Sequence, residues 1–222
     1  MAAPRLISND FLRGVLAGSG GAALVITAVL AVQRLVLSRA SLASSGESTT
    51  SSAQSVGVYE TDKAVAEYLL FHFGTPADII PYPPSLAPHG ALDFASRTAA
   101  VCVAAAKNAG IPLNSAFDVG CAVGRTAFDL SRDFDRVVGL DFSHAFVLAA
   151  ESLLKQGSTR YTCTVEGEAT ASREALLPAG VRADRLTFIQ GDACALPDAS
   201  ILGGKFSVIH AANLICRLPE PL

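Results

Sequence analysis

The stretch Phe117-Asp118-Val119-Gly120-Cys121-Ala122-Val123-Gly124-Arg125 limits the fold of this chain more than any other. Ala116, Phe117 and Val119 supply a short apolar run, Gly120 and Gly124 allow a tight backbone turn, and Thr126 to Phe134 restarts with helical spacing. Strand, glycine turn, helix is the expected order. Such a turn leaves helix amides facing whatever lies over it. Two phosphate templates fit poorly. The dinucleotide pattern G-x-G-x-x-G requires glycine where Ala122 and Arg125 stand, and Gly124-Arg125-Thr126 has no earlier glycine at P-loop spacing. The pattern present is acid-x-Gly-x-small-x-Gly, beginning at Asp118.

Two further segments repeat the theme of an acid at a strand end. Val137-Val138-Gly139-Leu140-Asp141 reads as a second strand, ending in a carboxylate 23 residues after Asp118, where α/β nucleotide folds hold ribose hydroxyls. Leu186-Thr187-Phe188-Ile189-Gln190-Gly191-Asp192-Ala193 reads as a third. Any one of these aspartates is equally a turn former. Three in order at three successive strand ends point to one crevice. The glycine turn resembles the first motif of class I S-adenosylmethionine (SAM)-dependent methyltransferases. That resemblance implies SAM as cofactor, with Asp118, Gly120, Cys121, Ala122, Gly124, Asp141, Phe142, Asp192 and Ala193 around it. In this assignment Asp118 meets the amino group, Asp141 the ribose and Asp192 the adenine amino group.

The resemblance narrows over the rest of the chain from Tyr59. YETDKAVAEYLLFHFG, IIPYPPSLAPHGALDFASR, the Cys-Ala-Val-Gly-Arg turn, YTCTVEGE, FIQGDACALP and HAANLICRLPEP together are similar to the ovothiol-biosynthesis family, the 4-mercaptohistidine N1-methyltransferases. What that likeness implies is methyl transfer to an imidazole nitrogen of a thiol-bearing histidine. Asn213, the last residue of the fourth strand expected at Phe206–Asn213, stands where class I methyltransferases place a substrate-facing polar residue. Glu166 and Glu168 are candidates for a cationic or amino-acid substrate, or else a solvated acidic turn. His210 lies inside that strand, where a hydrogen-bonded core histidine is a better reading than a base. No catalytic residue is singled out, because in-line displacement at a sulfonium methyl depends mainly on alignment.

The expected fold is α/β and Rossmann-like, with strand order 3-2-1-4 and the later strands of the seven-stranded methyltransferase sheet missing. Strand four would then be an exposed edge, and the chain a truncated one whose cofactor half is kept. Three functions stay open: a SAM-dependent methyltransferase, a non-catalytic SAM-binding or scaffold remnant, and an NAD-type oxidoreductase, which Arg125 disfavours.

Ahead of this domain, residues 14–32 are 19 residues without a charge, about 28 Å as a helix and just enough for a bilayer. With arginines at 5, 13, 34 and 39, residues 1–39 read as a single-pass membrane anchor or an organelle-targeting segment, with a cytoplasmic protein as the alternative. Residues 40–58, rich in Ser, Thr and Ala, read as a linker into the domain at 59–222. From 58 onward 13 basic residues face 18 acidic ones, which argues against nucleic acid as a partner. The small-molecule substrate and possible membrane contact through 14–32 are the partners read here, with no oligomeric state specified.

In chain order, Thr61 caps a helix stopped by Gly74, and the five prolines in 75–90 predict an extended arm or loop without a regular element. A second helix spans 95–109, Ser143 caps a third that Gly157 ends, and 160–168 alternates weakly enough for a short hairpin arm. Five cysteines (102, 121, 163, 194, 216) make no C-x-x-C pair and no metal spacing with the histidines, so reduced thiols are expected, with Cys121 and Cys194 as small packing residues.

Overall fold

Four short parallel strands form one sheet, and its two central strands are buried on both faces because helices and loops cover each side. In a computed structural model that describes residues 57–80, 82–83, 85–86 and 89–218, the four strands are β1 (Ser115–Val119), β2 (Arg136–Asp141), β5 (Leu186–Gln190) and β6 (Val208–His210). Their order is β5-β2-β1-β6, every pairing parallel, with Asp118 opposite Gly139 on one side and His210 on the other. Read as the parallel strands alone, this is the expected 3-2-1-4. β6 is the outer strand at one side, and Ile209 on it is 65% exposed. The anchor segment 1–39 and the linker 40–58, except its last two residues, lie outside the described residues; residues 57 and 58 are helical. Among the described residues no helix is long and apolar enough to cross a membrane.

The helices form where the sequence caps them. α1 (Asp62–Phe73) starts at Thr61, whose side chain accepts from the Ala64 amide, and ends at Gly74. The proline-rich stretch holds more structure than the prolines suggested. Thr75 and Asp78 make a reciprocal capping box around α2 (Pro76–Ile79), where Pro76 sits at a position whose amide needs no partner, and a single 3₁₀ turn follows at His89–Ala91. α3 (Phe94–Asn108) is alanine-rich, and α4 (Arg125–Leu130) covers only six residues, shorter than the Thr126 to Phe134 run expected. α5 (His144–Gln156) runs from the Ser143 cap to Gly157 in left-handed conformation.

Between α5 and β5 lies a larger excursion than a short arm. β3 (Ser158–Glu166) and β4 (Ala169–Leu176) form an antiparallel two-stranded sheet with a bulge near its tip. Its buried face places Tyr161, Cys163 and Ala175 against the main core, and Arg173 pairs with Asp78 of α2. One face of the parallel sheet carries that core, with Phe128, Phe134, Leu69 and Leu153 nearly inaccessible. The other face holds a smaller cluster of Phe117, Val119, Val138, Leu140 and Leu202. There Phe206 stacks on Phe117 at 4.7 Å between ring centres, and the Arg136 guanidinium covers it.

Candidate functional site

The carboxyl ends of β1, β2 and β6 meet at the glycine turn, which is where a parallel sheet leaves its crevice. Gly120 and Gly124 have φ of +76° and +87°, a region that L side chains avoid. Space is short there as well. A Cβ on Gly120 would come within 3.1 Å of Leu214 Cδ1, and one on Gly124 within 3.0 Å of both Ala150 Cβ and Phe188 Cζ. Between them Ala122 holds φ +47° despite its methyl group. Its amide donates to Asp141 Oδ2 at 2.8 Å, so the acid that ends β2 ties down the turn that follows β1.

Asp141 is the best-held acid of the group. The Ser143 amide donates to its Oδ1 at 2.9 Å, which leaves each oxygen with a further lone pair. Burial lifts its pKa, the two amide bonds and their donated hydrogens pull it back down, and the charges of Asp118 and Glu60 push it up again. Asp118 is 1% exposed, and its Oδ1 lies 2.7 Å from His210 Nδ1. Since a carboxylate only accepts, Nδ1 is the donor and His210 is a satisfied core residue at this atom. Asp118 Oδ2 and His210 Nε2 are buried with no hydrogen-bond partner among the described residues.

The remaining predicted residues are spread more widely. Cys121 is buried, its thiol pKa driven well up chiefly by burial, as a packing residue should be. Cys194 is exposed, which corrects the packing role expected of it: it follows Asp192 into a loop beyond β5 where nothing closes over it. Asp192 is also exposed and takes the Cys194 amide on its own Oδ1 at 2.8 Å, as a turn former does. Ala193 is half-buried against the smaller cluster, and Phe142 is half-exposed, its carbonyl accepting from Gln190 Nε2. Asn213 is exposed just past β6 with φ +54°, a left-handed conformation that asparagine tolerates better than most. Glu166 and Glu168 stand exposed at the tip of the β3–β4 hairpin. The geometry therefore joins Asp118, Gly120, Ala122, Gly124 and Asp141 into one locus, with Asp192 at the neighbouring strand end and the two glutamates on another sheet.

Several groups at this locus carry no local sequence signal. Glu60 accepts from the His144 and Ala145 amides at 2.9 and 3.1 Å, so it covers the start of α5 beside Asp141. The Ser143 hydroxyl donates to the Tyr59 carbonyl at 2.9 Å. Tyr68 lies against Phe146 at 4.5 Å between ring centres and edge-on to Tyr59 at 6.2 Å. These contacts span about 85 positions of chain, and no spacing rule reaches that far. Arg125, by contrast, turns away from the crevice. It donates to the His72 carbonyl at 2.8 Å, pairs with Asp129 at 3.0 Å and lies over the Phe73 ring.

No protein-family model matches this chain, and no curated protein is similar to it. Solved structures do resemble it. Magnesium protoporphyrin IX methyltransferase (ChlM) from Synechocystis PCC 6803 with bound SAM is 20% identical over 70% of this chain and 64% of its own, with a TM-score of 0.37. The same enzyme with bound SAH is 22% identical over 57% and 47%, with a TM-score of 0.36. The glycopeptide N-methyltransferase MtfA is 22% identical over 55% and 44%, with a TM-score of 0.33. This chain thus spans about half the length of the solved structures it resembles.

Proposed function

We propose that this chain is a SAM-dependent methyltransferase, and that its acceptor is an imidazole nitrogen of a thiol-bearing histidine such as 4-mercaptohistidine. The observation that carries the first part is Asp141, fixed between the Ala122 and Ser143 amides at the mouth of the crevice with lone pairs to spare for ribose hydroxyls. The buried, unpartnered Asp118 Oδ2 fits a cationic amino group beneath the same turn. Arg125, the basic residue of the turn itself, is committed to Asp129 and to the His72 carbonyl, so it offers a pyrophosphate no partner and the NAD reading loses support. The second part rests on the sequence resemblance to the ovothiol family.

Bound SAM would supply a sulfonium methyl, whose carbon bonds to the acceptor nitrogen as its bond to sulfur breaks with the electron pair. The work left to the protein is alignment. Asp141 orients the ribose, the turn between Gly120 and Gly124 sets the depth of the ligand, and Asn213 at the end of β6 faces the acceptor. The attacking ring nitrogen must be unprotonated, and after transfer the N-methylated imidazolium gives up the proton on its other ring nitrogen to water. Tyr59, Tyr68 and Phe146 form an aromatic wall that excludes water near Asp141.

Calorimetric titration of S-adenosylhomocysteine into the full chain tests the cofactor. Each charged hydrogen bond to Asp141 is worth about 1.5–3 kcal/mol, so Asp141→Ala should weaken binding at least about tenfold. An unchanged affinity sinks the site. A second reading, a module that binds the nucleoside without transferring methyl, is favoured by the open outer edge of β6, where Ile209 has no cover. Labelled SAM with 4-mercaptohistidine separates the two, since only the enzyme passes the label on.

A further inference from the structure

The segment that follows β6 does not leave the crevice. Leu214 lies directly on the glycine turn, its Cδ1 placed 3.1 Å from where a Cβ of Gly120 would stand. From Leu214 the chain winds into a 3₁₀ turn at Ile215–Arg217, closed by the Arg217 amide donating to the Leu214 carbonyl at 2.7 Å. In a 3₁₀ turn side chains three apart are eclipsed, so Arg217 projects from the same face as Leu214, toward the crevice. On the other wall stands Tyr68, fixed by its rings against Tyr59 and Phe146. Burial raises the Tyr68 pKa, the Tyr59 hydroxyl adds to the rise, the Arg217 charge opposes it and the Asp141 charge supports it. Tyr59, Tyr68, Asp141 and Arg217 are therefore one electrostatic cluster around the mouth of the turn. Asp141 spends its charge on two backbone amides. Arg217 is exposed, and its guanidinium has no hydrogen bond or ion pair among the described residues.

A strongly cationic, bidentate donor aimed into a crevice whose other charges are acidic has one natural counterpart. We infer that Arg217 clamps the free carboxylate of an amino-acid ligand over the glycine turn, beside the hydrogen-bonded pair of Tyr68 and Tyr59. This rests on the adenosyl reading of the turn and adds a ligand class to it. The carboxylate belongs either to the methionine end of the cofactor or to an amino-acid methyl acceptor.

The test is titration of the full chain and of Arg217→Ala with S-adenosylhomocysteine and with 5′-methylthioadenosine, which keeps the nucleoside and lacks the amino acid. Loss of tenfold or more for the first, with the second unchanged, assigns Arg217 to the cofactor carboxylate, and the unchanged ligand shows that the variant is folded. If both are unchanged, histidine and histidinol are titrated into the chain saturated with S-adenosylhomocysteine. A loss in the variant for histidine alone assigns Arg217 to the acceptor carboxylate. Equal affinities of the two proteins for all four compounds overturn the clamp while leaving the nucleoside site standing. Failure of the unsubstituted chain to bind either nucleoside overturns both.

Discussion

At the scale of single residues, Ala122 is the point where local preference and the site disagree. It sits in left-handed conformation, which costs a residue with a Cβ about 1 kcal/mol relative to glycine, and it does so to aim its amide at Asp141. Substitution Ala122→Gly removes that strain without touching the amide. The folded state should gain about 0.5–1 kcal/mol, offset in part by the extra freedom of glycine in the unfolded chain, and S-adenosylhomocysteine affinity should stay within about twofold. Urea unfolding and titration of the same variant measure both. A large loss of affinity would mean that the methyl of Ala122 touches the ligand. The glycines and acids of this turn were legible because they follow one another in the chain; Glu60, Tyr68 and Leu214 were not, because folding alone brings them to it.

At the scale of elements, Ser143 at the start of α5 is one of the side chains that tie the helical N-terminal part to the crevice. Ser143 is 2% exposed; its hydroxyl accepts from the Phe146 amide at 3.1 Å and donates to the Tyr59 carbonyl at 2.9 Å. A lost cap costs about 0.5–2 kcal/mol, and an orphaned buried carbonyl adds about 1 or more, so Ser143→Ala should lower the unfolding free energy by about 2 kcal/mol. Thermal or urea unfolding checks this, and a change under 0.5 kcal/mol would mean that Glu60 caps the helix unaided. The caps at Thr61, Ser143 and Gly157 were readable in advance, since capping is a local hydrogen bond with strict residue preferences. The proline-rich stretch was misread for a related reason. Five prolines suppressed any expectation of a helix, yet Pro76 stands at the first helical position, and the Thr75–Asp78 box completes the turn. The hairpin β3–β4 was underestimated because only one of its faces packs, and alternation on a half-exposed strand is weak.

At the scale of the whole molecule, the packing of α1 against α4 buries His72 and sets Arg125 beside it. Burial first, then the Arg125 charge, lowers the His72 pKa from 6.5 to about 4. A histidine depressed in this way costs nothing while both states are neutral above pH 6.5. As pH falls from 6.5 toward 4 the unfolded chain takes up a proton that the folded chain refuses, so stability is lost across that window, by up to about 3 kcal/mol, and no further loss comes from this group below pH 4. Asp141 acts in the opposite sense: its raised pKa makes its burial costly when ionised, and that cost is relieved at acid pH. Unfolding free energies of the chain and of His72→Gln between pH 7 and 4 should therefore converge as pH falls. Parallel curves would exclude the assignment. By itself the sequence determined the four strands, the glycine turn and Asp141, because each depends on hydrophobic period or on backbone freedom within a few residues, whereas the strand order was only what the methyltransferase resemblance implied. Only the tertiary structure decided that Asp118 gives one of its oxygens to His210, that Arg125 turns away, and that Leu214 lies over the turn. Those outcomes depend on which side chains meet across 50 to 90 positions of chain, where packing and burial choose the partner and no local rule does.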